Sequence, residues 1–225
     1  MLENLPKDLK TRAYVLKRTN YAEADRILNV ITPVGKIAVM AKGVRKARSK
    51  MAGAIEMFTL VELNLHFGKS EMAVLTGAKM LRFYPEILKD FDKMELASEI
   101  LKKISRASEN IDSADFFMIV DSCLNAINDG ANLDLVETWF LMRLAKAMGE
   151  QINLYYDKNG EKLAEDKKYI WNEMDKVLEV QENAEIDANA IKIMRMAWTV
   201  DFEVFSRIKN VEKFLPIVFE IAKTV

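Results

Sequence analysis

The hydrophobic pattern of this chain changes period once, at Tyr84-Pro85, and that change constrains the fold more than any other feature. From Arg12 to Phe83 apolar residues recur at every second position, as they do in half-buried strands. After Pro85 they recur at a spacing of about 3.6, as on the buried stripe of an amphipathic helix. One chain therefore holds a β part followed by an α part.

The β part resolves into five predicted strands. They are Arg12 to Arg18, Ala24 to Thr32, Lys36 to Val44, Phe58 to Gly68 and Glu71 to Phe83. "TPVGK" (Thr32 to Lys36) is a turn, because Pro33 presets φ and Gly35 can take positive φ. Gly77 marks a bulge or bend inside the last strand. Five strands with one longer insert between the third and fourth suit a small closed barrel. The five-stranded OB-fold is the leading candidate and an SH3-like barrel the alternative.

The α part contains "EILKDF", "MELASEILKKISRAS", "SADFFMIVDSCLNAIND", "LDLVETWFLMRLAKAMG", "DANAIKIMRMAWTV" and "VEKFLPIVFEIAKT". Ser113 is a predicted N-cap and Gly149 a predicted C′ residue, and Pro216 either sits near the first turn of the last helix or kinks it. Asn159-Gly160 in the polar stretch between helices signals a hairpin turn. The expected fold is thus α+β: an OB-fold barrel over residues 1–84, then a mostly helical domain over 85–225. A small hairpin insert is expected at about residues 152–180.

Charge divides at the same place. The chain carries 33 Lys+Arg and 34 Asp+Glu, a formal net charge of -1, which argues against nucleic acid. Residues 1–84, however, hold 15 basic and 7 acidic residues, a balance of +8. The remainder is acidic. From Arg26 to Ile55 there are seven cations and no acid: Arg26, Lys36, Lys42, Arg45, Lys46, Arg48 and Lys50. Five fall in "KGVRKARSK" (Lys42 to Lys50), the insert between strands three and four. Five crowded cations repel one another unless an anion relieves them. OB-folds bind single strands by pairing a basic groove with exposed aromatic rings, and Tyr21 is the expected exposed ring here. A solvated basic loop, or a scaffold for an acidic protein surface, are the competing readings.

Catalysis has little to build on. His66 is the one histidine and sits in an alternating strand. Glu23 and Asp25 could hold Mg²⁺ for a nuclease, but pairing with neighbouring cations is the expected role. No phosphate-binding glycine motif is present. The chain is expected to be no enzyme and to need no cofactor or metal. Cys123 is the only cysteine, and the polar segment Met1 to Thr11 has no signal-peptide core. No apolar run reaches about 18 residues. A cytoplasmic location and no membrane partner are expected.

Ala13 to Lys50 resembles the N-terminal domain of the RecO family of bacterial recombination mediators. The residues that carry the resemblance are Val15-Leu16, then Tyr21, Glu23, Asp25, Arg26, Ile27 and Leu28. Thr32, Gly35, Lys36, Ala41, Lys42, Gly43, Arg45 and Ser49 follow at fixed spacings. "WFLMRLAKAMGEQINL" and "IDANAIKIMRMAW" resemble later helices of that family more weakly. Many members carry a four-cysteine zinc knuckle after the helix that ends here at Gly149. This chain has "YYDKNGEKLAEDKKYIW" instead, so Tyr155, Tyr156, Tyr169, Ile170 and Trp171 are expected to staple the insert.

The resemblance implies binding of single- and double-stranded DNA and annealing of complementary strands in DNA repair. It also implies loading of RecA, together with RecR, on strands coated by single-strand binding protein. Some members dock the acidic C-terminal tail of that binding protein on the helical domain. The cations expected to serve such a tail are Lys102, Lys103 and Arg106, then Arg143 and Lys146. The competing reading for these is an ordinary charged helix face.

Overall fold

A computed structural model describes residues 5–70, 72–111 and 113–225. The chain forms two compact units, Met1–Asp129 and Gly130–Val225.

The first unit begins with five strands: β1 (Asp8–Tyr21), β2 (Asp25–Thr32), β3 (Gly35–Ala41), β4 (Thr59–His66) and β5 (Ala73–Phe83). They close into a barrel in the order β1-β2-β3-β5-β4. Neighbours are antiparallel except β3 and β5, which pair in parallel through Val39↔Ala73 and Met40↔Val74. Closure through one parallel pair in this order is the OB-fold, so the leading expectation holds and the SH3-like alternative falls. Val15, Leu28, Val30, Val39, Val61 and Leu63 fill the interior. These residues alternate along their strands, so one face of each strand supplies the core.

Local signals act as expected. Gly35 has φ 111, and the Thr32 hydroxyl donates to its carbonyl at 2.8 Å. At Gly77 the β4–β5 register shifts, and a Cβ there would lie 2.8 Å from Asn64 Nδ2. Strand ends differ from the sequence reading. β1 is longer at both ends, and β3 stops at Ala41, not Val44, because Lys42–Gly43 already turn.

Three helices complete this unit: α1 (Pro85–Leu88), α2 (Phe91–Ala107) and α3 (Asp115–Asn128). Asp90 caps α2 by accepting from the Lys93 amide at 3.1 Å. Ser113 accepts from the Asp115 amide at 3.2 Å, one residue ahead of the N-cap itself, Ala114. The Tyr14 hydroxyl donates to Asp121 at 2.6 Å and lies 2.8 Å from the Tyr84 hydroxyl, joining β1 to α3. The compact unit therefore extends past the end of the barrel at Phe83 to Asp129. The change of period at Tyr84 marks a change of element type, whereas the packing of α2 and α3 on β1 carries the unit further.

The second unit holds α4 (Leu133–Ala147), β6 (Asn153–Asp157), β7 (Tyr169–Asn172), β8 (Val177–Val180), α5 (Ala188–Thr199), α6 (Phe202–Phe205) and α7 (Leu215–Thr224). Gly149 follows α4 with φ 87, and the Glu150 amide donates to Ala145, as a C′ glycine allows. Pro216 sits in the first turn of α7.

The insert is a three-stranded sheet, β6-β8-β7, rather than a lone hairpin. Its aromatic staple is smaller than expected. Tyr169 is buried and Trp171 donates to Thr224 at 2.9 Å, but Tyr155, Tyr156 and Ile170 are exposed. The Asn159-Gly160 turn is organised by the buried Asp157 carboxylate, which accepts from the Asn159 and Glu161 amides at 2.9 Å each. No helix among the described residues is long and apolar enough to cross a membrane.

Candidate nucleic-acid interface

The segment Lys42–Lys50 leaves β3 as consecutive turns rather than as strand. It is tied to the β1–β2 turn beside it. Asp25 accepts from the Gly43 amide at 2.7 Å, and Gly43 takes φ 66 to present that amide. The Arg45 amide donates to the Ala24 carbonyl at 2.9 Å, and its guanidinium to the Ala22 carbonyl at 3.2 Å. Val44, 1% exposed, anchors the turn in the barrel core. The backbone is thus fixed, while Lys42, Arg45, Lys46, Arg48 and Lys50 are all exposed. Among the described residues no carboxylate forms an ion pair with any of the five. A pinned backbone leaves only side-chain freedom to be lost when an anion arrives.

The other sequence-predicted cations go elsewhere. Arg26 donates to Glu56 at 3.1 Å and to Asn20 at 3.4 Å, and Arg18 pairs with the same Glu56. Burial, with Arg26 close by, lowers the pKa of Arg18. Lys36 is drawn away from the loop. Its ammonium donates to the Ser105 carbonyl near the end of α2 at 2.8 Å, lies 3.8 Å from Glu109, and its side chain is 16% exposed. Tyr21 ends β1 beside the loop and is 52% exposed, as expected. Asp25 accepts from the Gly43 amide rather than pairing with a cation, and Glu23 is exposed, so of the two it is Asp25 that shapes the turn. His66 pairs with Asp8 at 2.7 Å on the adjacent strand, an ordinary sheet position.

A second feature went unseen in the sequence. β1 pairs with β4 only over Asp8–Tyr14 and with β2 over Tyr14–Tyr21. Where β1 leaves β4, a groove of about 590 Å³ opens, lined by Arg18, Gly53, Met57, Phe58, Met80, Phe83 and Leu88, among others. Phe83 is 42% exposed and Met80 40%. Phe58 has φ 55, a left-handed conformation that costs a bulky residue roughly 1–2 kcal/mol. No local signal distinguishes Phe83 from the buried Phe58 and Tyr84, since its exposure depends on a strand that is absent beside it.

On the helices, Lys102 pairs with Glu99 at 2.7 Å, while Arg106 is exposed and Lys103 half-buried. In the second unit Arg143 and Lys146 both donate to the Trp198 carbonyl, at 3.4 and 3.1 Å. That carbonyl belongs to the last turn of α5, where a positive side chain offsets the helix dipole.

Residues 7–84 match the family described as "Recombination protein O N terminal", and this stretch coincides with the barrel. Proteins named DNA repair protein RecO are similar to the chain beyond it. The one from Roseiflexus sp. (strain RS-1) is 31% identical over 147 residues, 65% of this chain and 52% of that protein. The one from Dehalococcoides mccartyi (strain ATCC BAA-2266 / KCTC 15142 / 195) is 28% identical over 212 residues, 91% of this chain and 83% of that protein. The barrel belongs to the RecO N-terminal family. The RecO resemblance read at Ala13 to Lys50 lies inside the matched barrel, and its Asp25, Gly43 and Arg45 are the residues that hold the basic loop in place. In the segment expected to stand in place of a zinc knuckle, the Asp157 carboxylate organises the turn. Cys123, the only cysteine, is buried in α3.

Proposed function

We propose that this protein acts in DNA repair as a RecO-type recombination mediator, and that its barrel binds DNA by neutralising backbone phosphates. The observation that carries the reading is the pinned loop with five exposed cations, none of them in an ion pair among the described residues. Contacts of this kind hold the backbone and leave base edges free. Two neutralised strands repel each other less, so complementary strands can anneal on the protein. Single- and double-stranded DNA both present the phosphates the loop requires. The further steps, RecA loading with RecR on strands coated by single-strand binding protein, accord with the family but need partner surfaces of their own. For the acidic tail of that binding protein, Lys103 and Arg106 are better placed than Arg143 and Lys146, which already serve the Trp198 carbonyl.

The test is the double variant Lys46→Glu, Arg48→Glu. It reverses two charges on an exposed loop without touching Asp25 or Val44, so folding should persist. At moderate salt it should abolish binding of single-stranded DNA and annealing. Retained affinity would refute the assignment of the loop.

A further inference from the structure

We propose that the groove between β1 and β5 takes the unstacked bases of a single strand whose phosphates lie on the Lys42–Lys50 loop. The inference rests on the DNA reading above and adds a second site to it. The groove's volume of about 590 Å³ lies in the range of roughly 300–1,000 Å³ that suits flat organic ligands. Its walls are apolar: Met57, Met80, the exposed ring of Phe83, and Leu88. Apolar walls with an accessible aromatic face are what stacking requires, and stacking is indifferent to which base arrives.

Charge decides between occupants. The groove's own acid, Glu56, is shared by Arg18 and Arg26, so the rim carries a net positive charge. The groove also adjoins the loop in the chain. Lys50 and Gly53 are three residues apart, so their Cα atoms lie within about 11 Å. On the other side Arg26 contacts Asn20, next to Tyr21, and Ala22 binds Arg45 of the loop. An occupant must therefore bring regularly spaced anions to the loop and flat apolar groups to the groove, a few monomers apart. Single-stranded nucleic acid has both on every monomer. A duplex has its bases stacked and paired and can use the loop alone.

Two substitutions isolate the groove. Phe83→Ala removes an exposed ring and no charge. Gly53→Leu fills the space from the opposite wall, where an added Cβ meets nothing within 4 Å and φ is not positive. The full-length protein and both variants would be titrated with oligothymidylate of about ten nucleotides, within one OB-fold's span. An abasic oligomer and a duplex of equal length serve as the comparison. Wild-type protein should bind oligothymidylate about five- to a hundred-fold tighter than the abasic strand. Both variants should erase that difference, Phe83→Tyr should restore it, and duplex binding should stay unchanged in all. Equal wild-type affinity for the two single strands, or a difference that survives both variants, overturns the groove and leaves the loop reading intact. Failure to bind any of the three overturns the loop reading and this inference with it. Phe83-dependent capture of an acidic peptide, with no preference for bases over abasic sites, assigns the groove to a protein partner and overturns the proposal.

Discussion

Asp25 shows how one side chain converts a charge run into a site. Its carboxylate sits among cations yet binds a backbone amide, Gly43, at 2.7 Å. That bond fixes where the loop starts, and among the described residues the loop's cations form no ion pair with a carboxylate, although Arg45 donates to the Ala22 carbonyl. Tyr14 has the opposite task, since its hydroxyl is buried and spent on Asp121. Burial, then the Asp121 and Tyr84 hydrogen bonds, push its pKa far above the ordinary tyrosine value, and burial raises Tyr84 as well. A raised pKa means the folded state holds its proton after the unfolded chain has lost it. The stabilisation is complete below the unfolded value of about 10 and is lost as pH rises above it. Tyr14→Phe should cost about 1–3 kcal/mol at neutral pH. In urea titrations above roughly pH 10 the gap between wild type and Tyr14→Phe should narrow. A gap that stays constant or widens there would contradict this role.

At the scale of elements, the same residue type does unlike work according to what packs beside it. Lys36 and Lys46 both belong to the basic stretch, but Lys36 projects from β3 onto the end of α2. A lysine bound to a helix carbonyl is already discharging its function. Lys36→Ala should destabilise the protein by about 1–3 kcal/mol and leave affinity for oligothymidylate unchanged, as denaturation and titration of one preparation would show. Lys46 variants should do the reverse. Loss of DNA affinity on Lys36→Ala with stability intact would return that residue to the DNA surface. Strand divergence matters equally: β1 leaves β4 after Tyr14, and the ring of Phe83 faces a groove instead of a neighbour.

For the whole molecule, the net charge of -1 describes neither part. The barrel is basic, the helices that follow are acidic, and α1–α3 belong to the same compact unit as the barrel. Phosphate binding should therefore be a local property of the loop that long-range charge does not create. Five cations predict a log–log salt slope for single strands of at most about -3.5, at roughly -0.7 per phosphate. Measuring affinity from low to moderate salt checks this; a slope near zero would exclude phosphate contacts as the source of binding.

The sequence by itself determined the five barrel strands and the longer helices, their order and the place of the loop. Periodicity, turn glycines and contiguous charge are local, and the residues that carry them act within a few positions of one another. Gly35, Gly77 and Gly149 were legible for that reason. Tertiary structure alone decided which cations are free, because Lys36 and Arg26 find their partners 69 and 30 residues away. It alone exposed Phe83, left Tyr155 and Tyr156 outside the insert's core, and carried the first unit on to Asp129. Each of these depends on what a distant segment places alongside, and a side chain's own sequence neighbours carry no record of that.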